Sequence, residues 1–507
     1  MLAMQLTCDK ILDRKLFLTI VCLSFLIFLL TSDGHRYTFD EDVTQQQSQW
    51  IATMTPHPQF IPGESQFLFQ YPNYFPNNPR PICNIGILCT QLPIGTPLTQ
   101  VPFLLLNQNF NFITFDTLFL TSEDFPDPHY VFWRNSLEPD FTFLELFYGP
   151  TFSALSVGIF YLLSRTYGFS TKISTSLSIL FALTTTIWSY SQTSLNIVPV
   201  TFFVLLGFFF FRKFIITTSS KYIASSGIVF GFAFLVRHDA ILFIIPLFFY
   251  FIFILLKNLN KIKNVQIIQF FIFIRIIKGL VSNDIPNILG KDIPIFLNMF
   301  AILFSPGVGL LIFAPILFTI FLSYFDFFKK NKIECVLFIS FLVGFLIVYG
   351  NTSTWHGLNG WGDRYLTSIV PFLLLPLGFS IQKRQNKKFY SILVGLGFLG
   401  FIFNISYLLT DVSWFIWGLM GSGKGLYELG HVGSSLWVHP LVIWTFEYSQ
   451  LTHALRYALI SLHPDIFLLK VWGVYFYSIF SIFSIGLLTF CLYYLNKTSS
   501  NILKKLH

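Results

Sequence analysis

The stretch LFLTIVCLSFLIFLL, Leu16–Leu30, decides how this chain is read. It holds no charge, Lys10, Arg14 and Lys15 precede it, and TFDED, Thr38–Asp42, follows a few residues later. A membrane span needs roughly 20 mostly apolar residues. A basic flank ahead of such a run keeps its start on the cytoplasmic side. Three consecutive carboxylates, Asp40, Glu41 and Asp42, then stand just beyond the outer boundary. They are either a solvated acidic loop or an acid group held for catalysis at the interface of water and lipid. What else lies on the same side of the membrane separates the two.

Outward from this stretch the solvent is clear. The 507 residues are 54% hydrophobic and 11% charged, with a mean hydropathy of +0.65. Soluble domains carry roughly 25% charged residues, so the class is an all-α polytopic membrane protein. The alternating pattern of an outer-membrane barrel is missing. Apolar runs near residues 16–31, 143–163, 173–190, 196–211, 222–236, 240–256, 264–283, 307–325, 333–350, 365–381, 389–409 and 471–495 give about 12 transmembrane helices. Every second connection is basic: Lys10 to Lys15, Arg165 and Lys172, Arg212 to Lys221, Lys257 to Lys263, Lys329 to Lys332, QKRQNKK (Gln382–Lys388) and Lys497 to Lys505. Only Asp9, Asp13, Asp326 and Glu334 of the 24 carboxylates fall among them. The positive-inside rule makes these segments and both termini cytoplasmic. The net charge of +8 is therefore a topology signal and an attraction to anionic lipid, with no call for nucleic acid. The seventh run contains Arg275 and Lys278, but dropping it would send the later basic segments outside, so it stays. No small-x-small cleavage site follows Leu30, which favours a retained anchor over a signal peptide.

Two exterior segments are long. The first, about 32–142, is rich in Pro, Asn, Gln and aromatics and includes YPNYFPNNPRP (Tyr71–Pro81), a rigid extended stretch. The second, 411–470, contains the amphipathic stretch LVIWTFEYSQLTHALRYALI, Leu441–Ile460. Of six cysteines, Cys83 and Cys89 alone fall outside, where a disulfide between them or two free thiols are both open.

Four polar motifs share the exterior side with TFDED or include it. LVRHDAILF carries Arg237, His238 and Asp239 at the turn between the fifth and sixth spans. FSPGVG, with Ser305 and Pro306, opens the eighth. NTSTWHGLNGWGDRY, Asn351–Tyr365, brings Trp355, His356, Trp361, Asp363, Arg364 and Tyr365 to the start of the tenth. Arginine binds phosphate bidentately and stays charged, and a carboxylate beside it can take a proton from an acceptor hydroxyl. Such a face suits a lipid-linked phosphate. Local alternatives remain: Arg237 and Asp239 as an ion pair capping two helices, and Arg364 with Asp363 as a helix-start pair.

The motifs resemble those of the GT-C superfamily of polytopic glycosyltransferases, in the branch related to dolichyl-phosphate-mannose and lipopolysaccharide sugar transferases. FDE (Phe39–Glu41) resembles the acidic pair after the first span, and LPIGTPLTQVPFLLL (Leu92–Leu106) the segment that re-enters the membrane. GFAFLVRHDAILFIIPL resembles the Arg-ended outer turn, FSPGVGLLIFAPILF the SP-x-x-GLL start, and GWGDRYLTSIVPFLLLPLG the W-G-x-R-Y-L motif. The resemblance spans roughly residues 16–400. It implies a catalytic transmembrane region over residues 1–410 whose first exterior loop carries interfacial helices, while hydropathy and charge give an exterior segment over 411–470 and a last helix with a cytoplasmic tail over 471–507. It further implies inverting transfer of a sugar from a polyprenyl phosphate to a hydroxyl of a glycan, lipid or protein on the extracytoplasmic face. Asp40 would be the base, with Glu41 contacting the acceptor or orienting Asp40. Arg237 and Arg364 would bind the donor phosphate, and Tyr365, Trp361, His356 and His238 the substrates.

No cofactor is expected to be required, although Asp40 and Asp42 could hold a divalent cation, Mg or Mn. The WWDxG signature of metal-dependent oligosaccharyl transfer is absent, and Asp363 replaces the proline of many relatives. A transporter or flippase of a lipid-linked or anionic substrate is the alternative. Such proteins place charges near the membrane midplane, often within repeats, whereas here the charges gather at one face and no repeat is seen.

Overall fold

The computed structural model describes residues 2–34, 39–53, 93–109, 142–257, 295–352, 355–357, 360–384, 386–410, 440–460, 464 and 466–504. The expected seventh span, Cys83 and Cys89, and all of 411–439 lie outside them, as do the side chains of Asp40 and Asp42. No strand occurs among the described residues. The long elements are α1 (Leu2–Leu30), α2 (Phe39–Thr53), α3 (Gly95–Asn109), α4 (Thr142–Thr166) and α5 (Thr171–Thr184). A short α6 (Ile187–Tyr190) precedes α7 (Ile197–Thr217), α8 (Ser220–Val236) and α9 (Ile241–Lys257). Then come α10 (Ile295–Phe304), α11 (Leu310–Phe313), α12 (Ile320–Lys330) and α13 (Lys332–Gly350). The chain closes with α14 (Val370–Leu374), α15 (Leu377–Lys383), α16 (Lys387–Leu408), α17 (Pro440–Trp444), α18 (Gln450–Ile460) and α19 (Phe467–Lys504).

Among the described residues, seven helical segments are long and apolar enough to cross a membrane: 143–166, 197–217, 238–257, 332–350, 364–383, 387–408 and 467–498. Of the other expected spans that are described, 16–31 lies almost wholly in the 29-residue α1, whose last 18 residues include Asp13, Arg14 and Lys15, 222–236 lies in the 17-residue α8, and two are broken for local reasons. The run at 173–190 breaks at Thr185, whose backbone is extended. The hydroxyls of Thr184 and Thr185 donate to the carbonyls of Leu180 and Phe181, a back-bonding that bends helices. The run at 307–325 breaks at Ala314, whose following proline disfavours helical backbone. Helix α10 was not expected, and Asn298 ties it to the Gly350 carbonyl at 2.9 Å.

The expected basic segments meet at one end of the bundle. Asp13 pairs with Arg165 at 2.9 Å, Glu334 with Arg212, and Asp326 with Lys383 at 2.6 Å and Arg384 at 3.1 Å. Three of the four carboxylates assigned to the basic side are thus held by basic residues of other segments on that side. The polar motifs gather at the opposite end. Lys257 closes α9 toward the basic end, whereas the Ile295 carbonyl lies beside Gly350 at the motif end. The described helices after that interval therefore keep the expected alternation.

Lipid contact is written into the surfaces. In α3 the polar Thr96, Thr99 and Gln100 are buried while Leu98, Leu105 and Leu106 face outward, the reverse of a water-soluble helix. Helix α19 exposes Val474, Tyr475, Ile479, Ile482 and Phe483. It leans on α1 through the Tyr477 hydroxyl, which donates to the Leu30 carbonyl at 2.6 Å.

Candidate active site

The motif end is assembled around the irregular loop Ser191–Asn196, which follows the break after α5. Helix α4 approaches this loop closely because residue 149 is glycine: a Cβ there would overlap the carbonyl oxygens of Ser191 and Thr193. The loop then receives the first-loop helices. Glu41 is fully buried, and its Oε1 accepts the Ser194 N–H at 2.9 Å and the Ser194 hydroxyl at 3.4 Å. Gln45, one turn on, donates to Ser194 Oγ at 2.8 Å and to Glu145. Gln100 of α3 donates to the Ser194 carbonyl at 3.0 Å and accepts from Ser48 at 2.6 Å. A buried carboxylate is stable only when hydrogen-bonded, and this network fixes α2 and α3 to the bundle. Asp40 precedes Glu41 in the first turn of α2, so the network fixes its backbone as well. Positions 40 and 42 stand about 200° apart around a helix axis. They do not share a face of α2.

A second cluster surrounds the two arginines. Arg237 ends α8 with extended backbone, is 7% exposed, and pairs with Asp239 at 3.0 Å. The local ion pair weighed from the sequence therefore exists. Tyr349 joins it: its hydroxyl accepts from Arg237 Nη2 at 3.0 Å and donates to Asp239 Oδ2 at 2.6 Å. Its ring stacks on Tyr365, with centroids 4.0 Å apart and planes within 6°. The guanidinium of Arg237 lies 5.0 Å from the Tyr365 centroid and that of Arg364 lies 5.4 Å from it. The ring's negative faces thus help hold two like charges together. Tyr365, expected as a substrate contact, is the platform of both arginines.

Gly362, at φ +64°, turns the chain into Asp363. The Asp363 N–H bonds the Val308 carbonyl at 2.9 Å, and its Oδ1 accepts the Tyr365 N–H at 2.9 Å. Burial pushes the Asp363 carboxyl up to about 7, against the pull of the Tyr365 N–H and both arginines. Among the described residues, the buried Asp363 Oδ2 and Arg237 Nη1 have no partner. An orphaned guanidinium nitrogen beside a second arginine suits an anionic ligand.

The remaining expected substrate contacts fare differently. Trp361 is 1% exposed, packed against Phe313 at 4.7 Å and Tyr407 at 4.6 Å. Its ring packs in the core, and among the described residues its carbonyl alone reaches a polar partner, the Tyr190 hydroxyl. His238 is exposed, with its ring against Phe234, and bonds nothing in the cluster among the described residues. It is not brought into the site. His356 is buried beside Trp355, and burial, aided by Arg364, lowers it to about 4, so it is neutral at pH 7.

The two clusters share supports. Tyr190, at the head of the Ser191–Asn196 loop, bonds the Trp361 carbonyl at 3.1 Å, and Thr96 of α3 donates to the Val236 carbonyl at 3.1 Å. Gln450 of α18 donates to the Gly307 carbonyl at 2.8 Å, which closes the SPGVG segment against this end. No motif points directly to Ser194, Gln45, Gln100, Glu145 or Tyr349. A polar run such as SYSQTSLN inside an apolar region was the available signal.

A family model described as dolichyl-phosphate-mannose-protein mannosyltransferase matches residues 150–277. The match supports a membrane glycosyltransferase of the GT-C superfamily. Comparison with curated proteins returned no match. The matched stretch runs from α4 past α9 and includes Ser194, Arg237 and Asp239. It leaves α2 and the Arg364 segment outside. The several long apolar helices fit a multi-pass membrane protein, and the matched family is one whose description names a dolichyl-phosphate-linked mannose.

Proposed function

We propose that the chain transfers a sugar from a polyprenyl phosphate to a hydroxyl of a glycan, lipid or protein, with inversion, at the extracytoplasmic surface. The observation that carries this reading is the arginine pair on Tyr365, with Arg237 Nη1 left unpartnered, at the same end as the start of α2. Arg237 and Arg364 hold the donor phosphate. Asp40 removes the acceptor proton, and the acceptor oxygen forms its bond to the anomeric carbon as the carbon–oxygen bond to phosphate breaks. The bonding electrons leave with the phosphate, whose added charge the arginines stabilise. Glu41, already bonded to Ser194, positions Asp40 rather than touching the acceptor. The helical spacing of positions 40 and 42 favours a reaction that needs no divalent cation at that pair. The basic segments at the opposite end support reading that end as cytoplasmic and this one as exterior. Charges gathered at the two ends, with none of this site at a midplane, favour transfer over transport.

The test is sugar transfer by purified protein from a panel of radiolabelled polyprenyl-phosphate sugars to host membrane lipids and glycans, comparing wild type with Asp40→Asn. Loss of about 10²–10⁴-fold in the variant is the expected result. Equal activity would remove Asp40 as base, and no transfer from any donor despite donor binding would favour the transporter.

A further inference from the structure

The basic end of the bundle holds a cavity of about 340 Å³ bounded by residues of α1, α4 and α7. It takes no part in the chemistry above. Its charged wall is Asp13, Arg14, Arg165 and Lys213, and its apolar wall includes Phe17, Leu162 and Phe209. Asp13 is already engaged: its Oδ1 accepts from Arg165 Nε and from the Tyr161 hydroxyl, each at 2.9 Å. Arg165 also donates to the Phe169 carbonyl. Lys213 is half-buried, its ammonium 5.6 Å from the Phe209 ring centroid. Among the described residues no carboxylate pairs with Arg14 or Lys213. The cavity therefore combines one matched ion pair with two unmatched cations and an aromatic wall.

We propose that this cavity binds the phosphate headgroup of an anionic phospholipid from the leaflet at the basic end, with the chains along the apolar wall. A volume near 340 Å³ is at the small end of ligand pockets, roughly 300–1,000 Å³, and suits a headgroup rather than a whole lipid. A free inorganic anion would gain nothing from Phe17, Leu162 and Phe209, whereas a lipid uses both walls. Basic pockets between spans at the cytoplasmic side are suited to anionic headgroups. The site stands on the charge and shape of this end alone and is independent of the transfer reaction.

The experiment is native mass spectrometry of the full chain released from nanodiscs of phosphatidylglycerol or of phosphatidylcholine. It compares wild type, Arg14→Gln/Lys213→Gln, and Lys387→Gln/Lys388→Gln, which removes two exposed cations of the same end outside the cavity. None of the four substitutions removes an ion pair among the described residues. Wild type and the Lys387/Lys388 variant should retain bound phosphatidylglycerol, and the Arg14/Lys213 variant should bind it about 30-fold more weakly. Equal retention by all three proteins, equal loss in both variants, or equal retention of phosphatidylcholine would overturn the proposal. So would a rise in melting temperature with inorganic phosphate matching that given by short-chain phosphatidylglycerol, since the site would then recognise a soluble anion.

Discussion

Tyr349→Phe isolates the role of the arginine cluster's geometry. The substitution keeps the ring stacked on Tyr365 at 4.0 Å and leaves the Arg237–Asp239 pair at 3.0 Å, but removes a hydroxyl bonded to both partners. Hydrogen bonds to charged groups contribute about 1.5–3 kcal/mol each. Because the ion pair survives and water can replace part of the loss, about 2 kcal/mol is the expected effect on the aim of Arg237. That corresponds to a fall of about 30-fold in kcat/KM for the donor. Part should appear in donor KM, through weaker phosphate binding, and part in kcat, because phosphate charge grows in the transition state. The assay is initial-rate transfer in nanodiscs with donor and acceptor varied separately, beside a thermal melt. Donor kcat/KM within twofold of wild type, or a loss confined to acceptor KM, would refute the placement of Arg237 at the donor phosphate.

Further outcomes follow from the same contacts. Asp363, at about 7, is neutral below that pH and becomes an anion beside the phosphate site above it. Donor KM should therefore rise as pH increases through 7, and Asp363→Asn should flatten that rise; a steep rise persisting in the variant would assign it to another group. The same raised value means that Asp363 adds stability below about pH 4 and that this stability is lost as pH rises toward 7. Gly149→Ala would force α4 away from Ser191 and Thr193, an overpacking cost of about 1–3 kcal/mol, read as a lower melting temperature together with reduced transfer. Arg212→Met should destabilise by about 3–5 kcal/mol by leaving Glu334 buried and unpaired, and adding Glu334→Gln should recover much of it; additivity in that double-mutant cycle would count against the pair. Chelation with EDTA should leave transfer unchanged, and loss restored by Mg or Mn would place a cation in the reaction.

The sequence by itself determined that the chain crosses a membrane repeatedly and which ends of the helices share a side. Hydropathy and the placement of Lys and Arg act locally and additively, so they can be summed along the chain without knowing any contact. The meeting of Asp13, Asp326 and Glu334 with basic residues of distant segments follows from that sum. The motif ends were legible for the same reason, and so was the nearness of Arg237 to Asp239, two residues apart. Only the tertiary structure decided what these residues do to one another. Tyr349 lies 112 positions from Arg237, and Ser194 lies 153 from Glu41, separations at which no periodicity speaks. Trp361 reads as an exposed aromatic in a polar loop until Phe313 and Tyr407 close over it. The breaks at Thr185 and Ala314 hide inside apolar runs because hydropathy weighs side chains and is blind to backbone hydrogen bonding. Burial, pairing and helix breaks depend on neighbours remote in the chain or on the path of the backbone, and a linear sum contains neither.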